Sequence, residues 1–149
     1  MRYIQEILSN RVLWIAVLSW FAAQALKIVF TAILERRWDF SRLFFGLGGM
    51  PSSHSAVVCS LATAVGIARG FYSVEFAMSF MFAFIVMTDA AGVRRAAGKQ
   101  AAVLNKLVQE MLSTGKGPTT EKLKELLGHT PFEVVVGALL GVLIALLFM

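Results

Sequence analysis

A single cysteine, Cys59, serves the whole 149-residue chain, so no internal disulfide can staple it and no thiolate metal centre can form. It stands among apolar neighbours, the setting of a small core hydrophobe. Carboxylates are also scarce, nine against fourteen Lys and Arg, and none are grouped as magnesium would require. No small-residue cleavage site follows the apolar run after Arg11, which therefore reads as a retained span rather than a removed signal peptide. Nothing in the pattern resembles a nucleic-acid module. Ser113-Thr114-Gly115-Lys116-Gly117-Pro118 carries a fragment of a nucleotide-binding loop. The full spacing and a preceding strand are missing, and the stretch reads as a turn.

Apolar residues are what the chain has in excess. They make up 58% of it, and the mean hydropathy of +0.73 is too high for a soluble globular domain. The direct reading is an all-α integral membrane bundle forming one domain over residues 1–149, with about four transmembrane helices plus an amphipathic helix. Residues 1–11 suit a short interfacial helix. Apolar spans are expected at Val12–Leu34, His54–Ala68, Val74–Val93 and Phe132–Met149, near the roughly 20 residues that cross a hydrocarbon core. The second span is rich in Ser, Ala and Gly, which lets helices approach closely. Ala96–Leu112 shows helical apolar spacing interrupted by Lys99, Asn105 and Lys106, an amphipathic helix lying on the membrane or against the spans. A further short helix is expected from Thr119.

The cations are distributed unevenly. With four spans, the loop after the first and the segment after the third share a side and hold ten Lys and Arg. The opposite side holds Arg2, Arg11 and Arg69, and Lys27 lies inside the first span. The positive-inside rule places the ten in the cytoplasm of a multi-pass cell-membrane protein. Both histidines fall on that side.

Two stretches there carry chemistry. Gly46-Leu47-Gly48-Gly49-Met50-Pro51-Ser52-Ser53-His54-Ser55 joins two apolar segments. Its glycines permit a tight approach to a ligand, and Pro51 suits the first position of a helix. Ser52, Ser53 and the following amides would present donors at a helix N-terminus, where an anion is favoured. The bland alternative is an ordinary cap beside a surface histidine. In the second stretch His129 and Glu133 are four apart and share a helix face. The carboxylate would hold one ring nitrogen and leave the other to attack or relay a proton. Gly137 and Gly141 continue the stripe and would admit another helix beneath the site. Lys27, an ionisable residue within a span, is by default functional, with snorkelling to the interface as its alternative. Asp89, ending the third span, suits pairing with Arg94, Arg95 or Lys27. Two histidines, a carboxylate and clustered cations describe a phosphoryl-transfer site needing no metal and no cofactor. The cations would hold the non-bridging oxygens, one histidine would attack phosphorus and the other would protonate the leaving oxygen.

Pro51-Ser52-Ser53-His54, followed by Gly128-His129, Glu133-Val134 and Gly137, resembles the second and third signature motifs of the type 2 phosphatidic acid phosphatase superfamily, which also includes vanadium haloperoxidases. The whole length, with Thr88-Asp89-Ala90-Ala91-Gly92-Val93-Arg94-Arg95, is similar to its small divergent bacterial and plant branch. The resemblance implies a helical, metal-independent lipid phosphatase. His129 would be the nucleophile forming a phosphohistidine, Glu133 its orienting group and His54 the general acid. Ser52, Ser53 and local amides would hold phosphate oxygens. Lys27 would match the lysine of the first motif, and Arg94 or Arg95 the arginine of the third, with Arg36 and Arg37 as further phosphate-binding candidates. The chain departs from the pattern in having Ser53 where glycine is usual and Glu133 where aspartate is usual. It also has no proline after Arg36 or Arg37, and more than thirty residues between Arg95 and His129.

The expected activity is hydrolysis of a lipid phosphate, of the phosphatidylglycerophosphate or phosphatidic acid type, at the cytoplasmic leaflet. Membrane lipids are its partners, and a homodimer would enclose the site. Two alternatives stand beside it: a non-catalytic binder of anionic lipid headgroups, and a transporter or subunit of a larger membrane complex.

Overall fold

The computed structural model describes residues 1–35, 49–113 and 128–149. Residues 36–48, with Arg36, Arg37 and Arg42, and 114–127, where the sequence predicts a short helix, lie outside them. The described elements are helices: α1 (Arg2–Leu8), α2 (Arg11–Glu35), α3 (Ser53–Arg69), α4 (Val74–Ala91), α5 (Val93–Ser113) and α6 (Pro131–Phe148).

Four helices, α2, α3, α4 and α6, start where a short polar side chain satisfies one of the first amides. Asn10 Oδ1 accepts from Leu13 N–H (3.1 Å) at the head of α2. Ser52 caps α3, Ser73 caps α4 and Thr130 caps α6. Gly70, at φ +91°, turns the chain from α3 towards α4 in a conformation L side chains rarely adopt. Pro51 is not the first helical residue, as the sequence reading had it. It precedes the N-cap Ser52, and Pro131 takes the N1 position of α6 instead. A proline next to a serine pair fits both registers, and the capping hydroxyl decides between them.

α3 is the central helix, packed on α2, α4 and α6. Its inward face is small: Ala56, Ser60, Ala62, Ala64 and Gly66 are buried. This allows the close approach that membrane helices use in place of a hydrophobic drive. A methyl on Gly137 would collide with the Ser52 carbonyl oxygen, and one on Gly141 with that of Ala56. The glycine stripe of α6 therefore lies directly on the α3 backbone. Arg11 Nε donates to Phe148 O (3.0 Å), fixing the start of α2 beside the end of α6.

Burial is inverted relative to a soluble protein. Ser19, Gln24, Lys27, Thr31, Ser53, Ser55, Ser60 and His129 are inside, while Phe80, Phe82, Phe84, Ile85, Leu139, Leu143 and Leu147 face out. Apolar surroundings favour that arrangement. Arg11–Ile33, Val74–Met111 and Pro131–Phe148 are long and apolar enough to cross a membrane. The chain is a helical membrane protein. α3, with 17 residues, is about 25 Å long by helical rise, at the short end for a fourth span.

α4 and α5 are almost continuous. Gly92 N–H donates to Thr88 O (2.8 Å) and Ala96 N–H to Gly92 O (2.9 Å), so the ladder passes through the expected break. The combined 38-residue stretch is about 57 Å long, nearly twice a hydrocarbon core. Both helices cannot lie within one core. α5 packs on α4 and, among the described elements, on no other to any extent. Val103, Leu104, Leu107 and Met111 are exposed along it beside Lys99 and Lys106, the pattern of an interfacial helix.

Candidate functional site

The site forms where the C-terminal half of α2 meets the N-termini of α3 and α6. Lys27 Nζ donates to Ser53 Oγ (3.2 Å), and the lysine is only 4% exposed. It points into the bundle and does not snorkel. Twenty-six residues of sequence separate the pair, so the packing of α2 on α3 creates the contact. The Glu133 carboxylate acts electrostatically on Lys27. Asp89 stands half-buried near the end of α4.

His129 is also 4% exposed. Its Nδ1 lies 3.1 Å from Glu133 Oε2. An ionised carboxylate can only accept, so opposite one Nδ1 is the donor, and a neutral ring would then carry its lone pair on Nε2. The same Oε2 accepts from Thr130 N–H (3.0 Å), and Glu133 N–H donates to Thr130 Oγ1 (3.3 Å). This is a capping box, in which cap and third residue satisfy each other's amides. Glu133 O accepts from Ser52 N–H (3.1 Å), tying the first turn of α6 to the cap of α3.

His54 opens α3 one residue after Ser53, and its ring centroid is 6.1 Å from that of His129. The two rings meet edge to face, at an interplanar angle of 64°, and His54 adjoins Ser53, the partner of Lys27. Ser52 is committed differently from the expectation. Its Oγ accepts from Ser55 N–H (3.3 Å) and Ser55 Oγ (3.0 Å), and its amide serves Glu133. Of the two serines, Ser53 is the one whose hydroxyl meets the buried cation. Arg36 and Arg37 lie outside the described residues. Arg94 and Arg95 belong to α5, and their side chains are likewise outside the description.

Sequence reasoning brought together Lys27, Ser53, His54, His129 and Glu133 from three separate segments, and the fold places them at one end of the bundle. It missed Thr130 as a partner of Glu133, although Thr-x-x-Glu before an apolar run is the signature of a capping box. It also missed the backbone link from Ser52 to Glu133, for which sequence carries no signal.

A helical membrane protein with a buried lysine, two facing histidines and a carboxylate-held imidazole is the class that this geometry defines. The chain belongs to the Divergent PAP2 family, whose model matches residues 8–144. It is 43% identical to the uncharacterized membrane protein YuiD of Bacillus subtilis (strain 168), over 95% of each chain. No solved structure matches it.

Proposed function

We propose that the protein is a metal-independent membrane phosphatase. It hydrolyses a lipid phosphate, of the phosphatidylglycerophosphate or phosphatidic acid type, through a phosphohistidine on His129. The observation that carries this reading is the buried His129–Glu133 pair facing His54, with Lys27 and Ser53 at the adjoining helix N-terminus. Membership of the Divergent PAP2 family supports it.

In the first step Nε2 of His129 attacks phosphorus and the bond from phosphorus to the leaving oxygen breaks. His54 gives that oxygen a proton. Glu133 stabilises the positive charge that develops on His129. In the second step His54 takes a proton from water. The oxygen of that water attacks phosphorus, releasing inorganic phosphate and restoring His129. Lys27, Ser53 and the first amides of α3 neutralise the non-bridging oxygens. Charge compensation falls to Lys27 and the basic segments. The ten-to-three distribution of Lys and Arg favours a site facing the cytoplasm and a substrate made there.

The test is phosphate release from a panel of lipid phosphates by the purified protein in excess chelator. Release is expected from wild type and is expected to be lost in His129→Ala and His54→Ala. Headgroup binding without release from any lipid, in folded protein, would contradict the proposal and favour a lipid-binding role.

A further inference from the structure

Thr130 takes no part in the steps above, yet it meets Glu133 twice. Its amide donates to Glu133 Oε2 (3.0 Å) and its hydroxyl accepts from Glu133 N–H (3.3 Å). The first contact shares the oxygen that faces His129 Nδ1 at 3.1 Å. We propose that Thr130 is a positioning residue for His129. Its capping box with Glu133 holds the carboxylate against Nδ1, and thereby fixes the ring with its proton on Nδ1 and its lone pair on Nε2. The kinetic consequence rests on the phosphohistidine reading, whereas the tautomer can be observed without turnover.

A glutamate side chain has three rotatable bonds, and one contact to an imidazole does not fix them all. The capping box supplies two further anchors, one on the carboxylate and one on the backbone of the same residue. Ser52 N–H on Glu133 O (3.1 Å) adds a fourth and ties the turn to α3. His129 is buried and Glu133 mostly so, with side-chain exposures of 5% and 21%. Water therefore offers little substitute for a lost anchor. Once the hydroxyl is gone, the first turn of α6 loosens at the residue that holds the carboxylate. The imidazole can then exchange its proton between the two nitrogens. A neutral ring protonated on Nε2 has no lone pair aimed at phosphorus, so the fraction of competent nucleophile falls.

The experiment uses full-length protein in lipid nanodiscs with 15N-labelled histidine, whose side-chain signals come from the two ring nitrogens of His54 and of His129 alone. Thr130→Val removes the hydroxyl. Thr130→Gly does so too while remaining a good helix cap, which keeps a folded variant available. Thr130→Ser restores the hydroxyl. Ser73→Ala removes the equivalent cap from α4, where Ser73 Oγ accepts from Phe76 N–H (3.2 Å). Wild type and Thr130→Ser are expected to show His129 protonated on Nδ1. Thr130→Val and Thr130→Gly are expected to show both tautomers, with kcat down about tenfold and KM within about twofold. Ser73→Ala is expected to change neither. Retention of the Nδ1 tautomer and full kcat in Thr130→Val and Thr130→Gly would overturn the inference, as would equal losses in Ser73→Ala. A tautomer shift in protein that releases no phosphate would uphold the positioning role and overturn the phosphatase reading.

Discussion

Lys27 carries the largest electrostatic demand of any described residue, because a buried ammonium is costly unless it is partnered. Ser53 Oγ accepts from it and the Glu133 carboxylate acts on it, and in the proposed reaction the phosphoryl oxygens would join them. Lys27→Met keeps the length of the side chain and removes the charge. It is expected to lower kcat/KM for a lipid phosphate by about 10²–10³, the range seen when one preorganised donor is removed from a developing anion. Steady-state phosphate release checks this, and an unchanged rate would take Lys27 out of the site. Much of this residue-level picture was legible before any coordinates. His129 and Glu133 stand at helical spacing, and a lysine amid apolar residues is conspicuous. The meeting of Lys27 with Ser53 and the field of Glu133 was not legible, because it depends on which faces of α2, α3 and α6 turn inward. Ser52 shows the same limit. Two adjacent serines are indistinguishable in sequence, and only the helix start assigns the first to capping and the second to Lys27.

At the scale of elements, α3 and α6 behave as one unit. Two glycines seat α6 on the α3 backbone, and Ser52 N–H joins the two helix starts just above them. Gly137→Ala would force its methyl into the Ser52 carbonyl, which is backbone and cannot rotate away. Overpacking of this kind typically costs about 1–3 kcal/mol. The variant is expected to melt earlier in detergent and to lose activity beyond that, since the shift acts on Ser52 and Glu133 together. Leu139→Ala, on the outward face, is the matched control and should leave activity unchanged. The glycine stripe was readable because period-four small residues mean close helix approach. The near-continuity of α4 and α5 was less so. Gly92 looks like a terminator, yet its amide and carbonyl both stay in the helical ladder.

At the scale of the molecule, helix directions and charge agree. Lys27 beside Ser53, and Ser52 beside Glu133, put the end of α2 and the starts of α3 and α6 on one side. Arg11 beside Phe148, and Arg69 beside Glu75, mark the other. Cytoplasmic placement of the site predicts an outcome for single cysteines in a Cys59→Ser background. Lys99→Cys should react with an impermeant maleimide only after the membrane is opened, and Tyr72→Cys should react in intact cells. The reverse pattern would place the site outside and change the substrate pool. The general architecture was available from hydropathy, because lipid rewards apolar exteriors and leaves little freedom in element type.

The central claim is that His129 carries the phosphoryl group, and trapping that group tests it most directly. His54→Ala removes the proposed general acid and base, so both steps slow, and a substrate with a good leaving group restores the first of them. Such a substrate, mixed with this variant and quenched with alkali, is expected to leave phosphate on His129, seen by mass spectrometry as an acid-labile, base-stable adduct. No adduct should form in the His54→Ala/His129→Ala double variant. Absence of the adduct during measurable phosphate release, or an adduct on any other residue, would contradict the account.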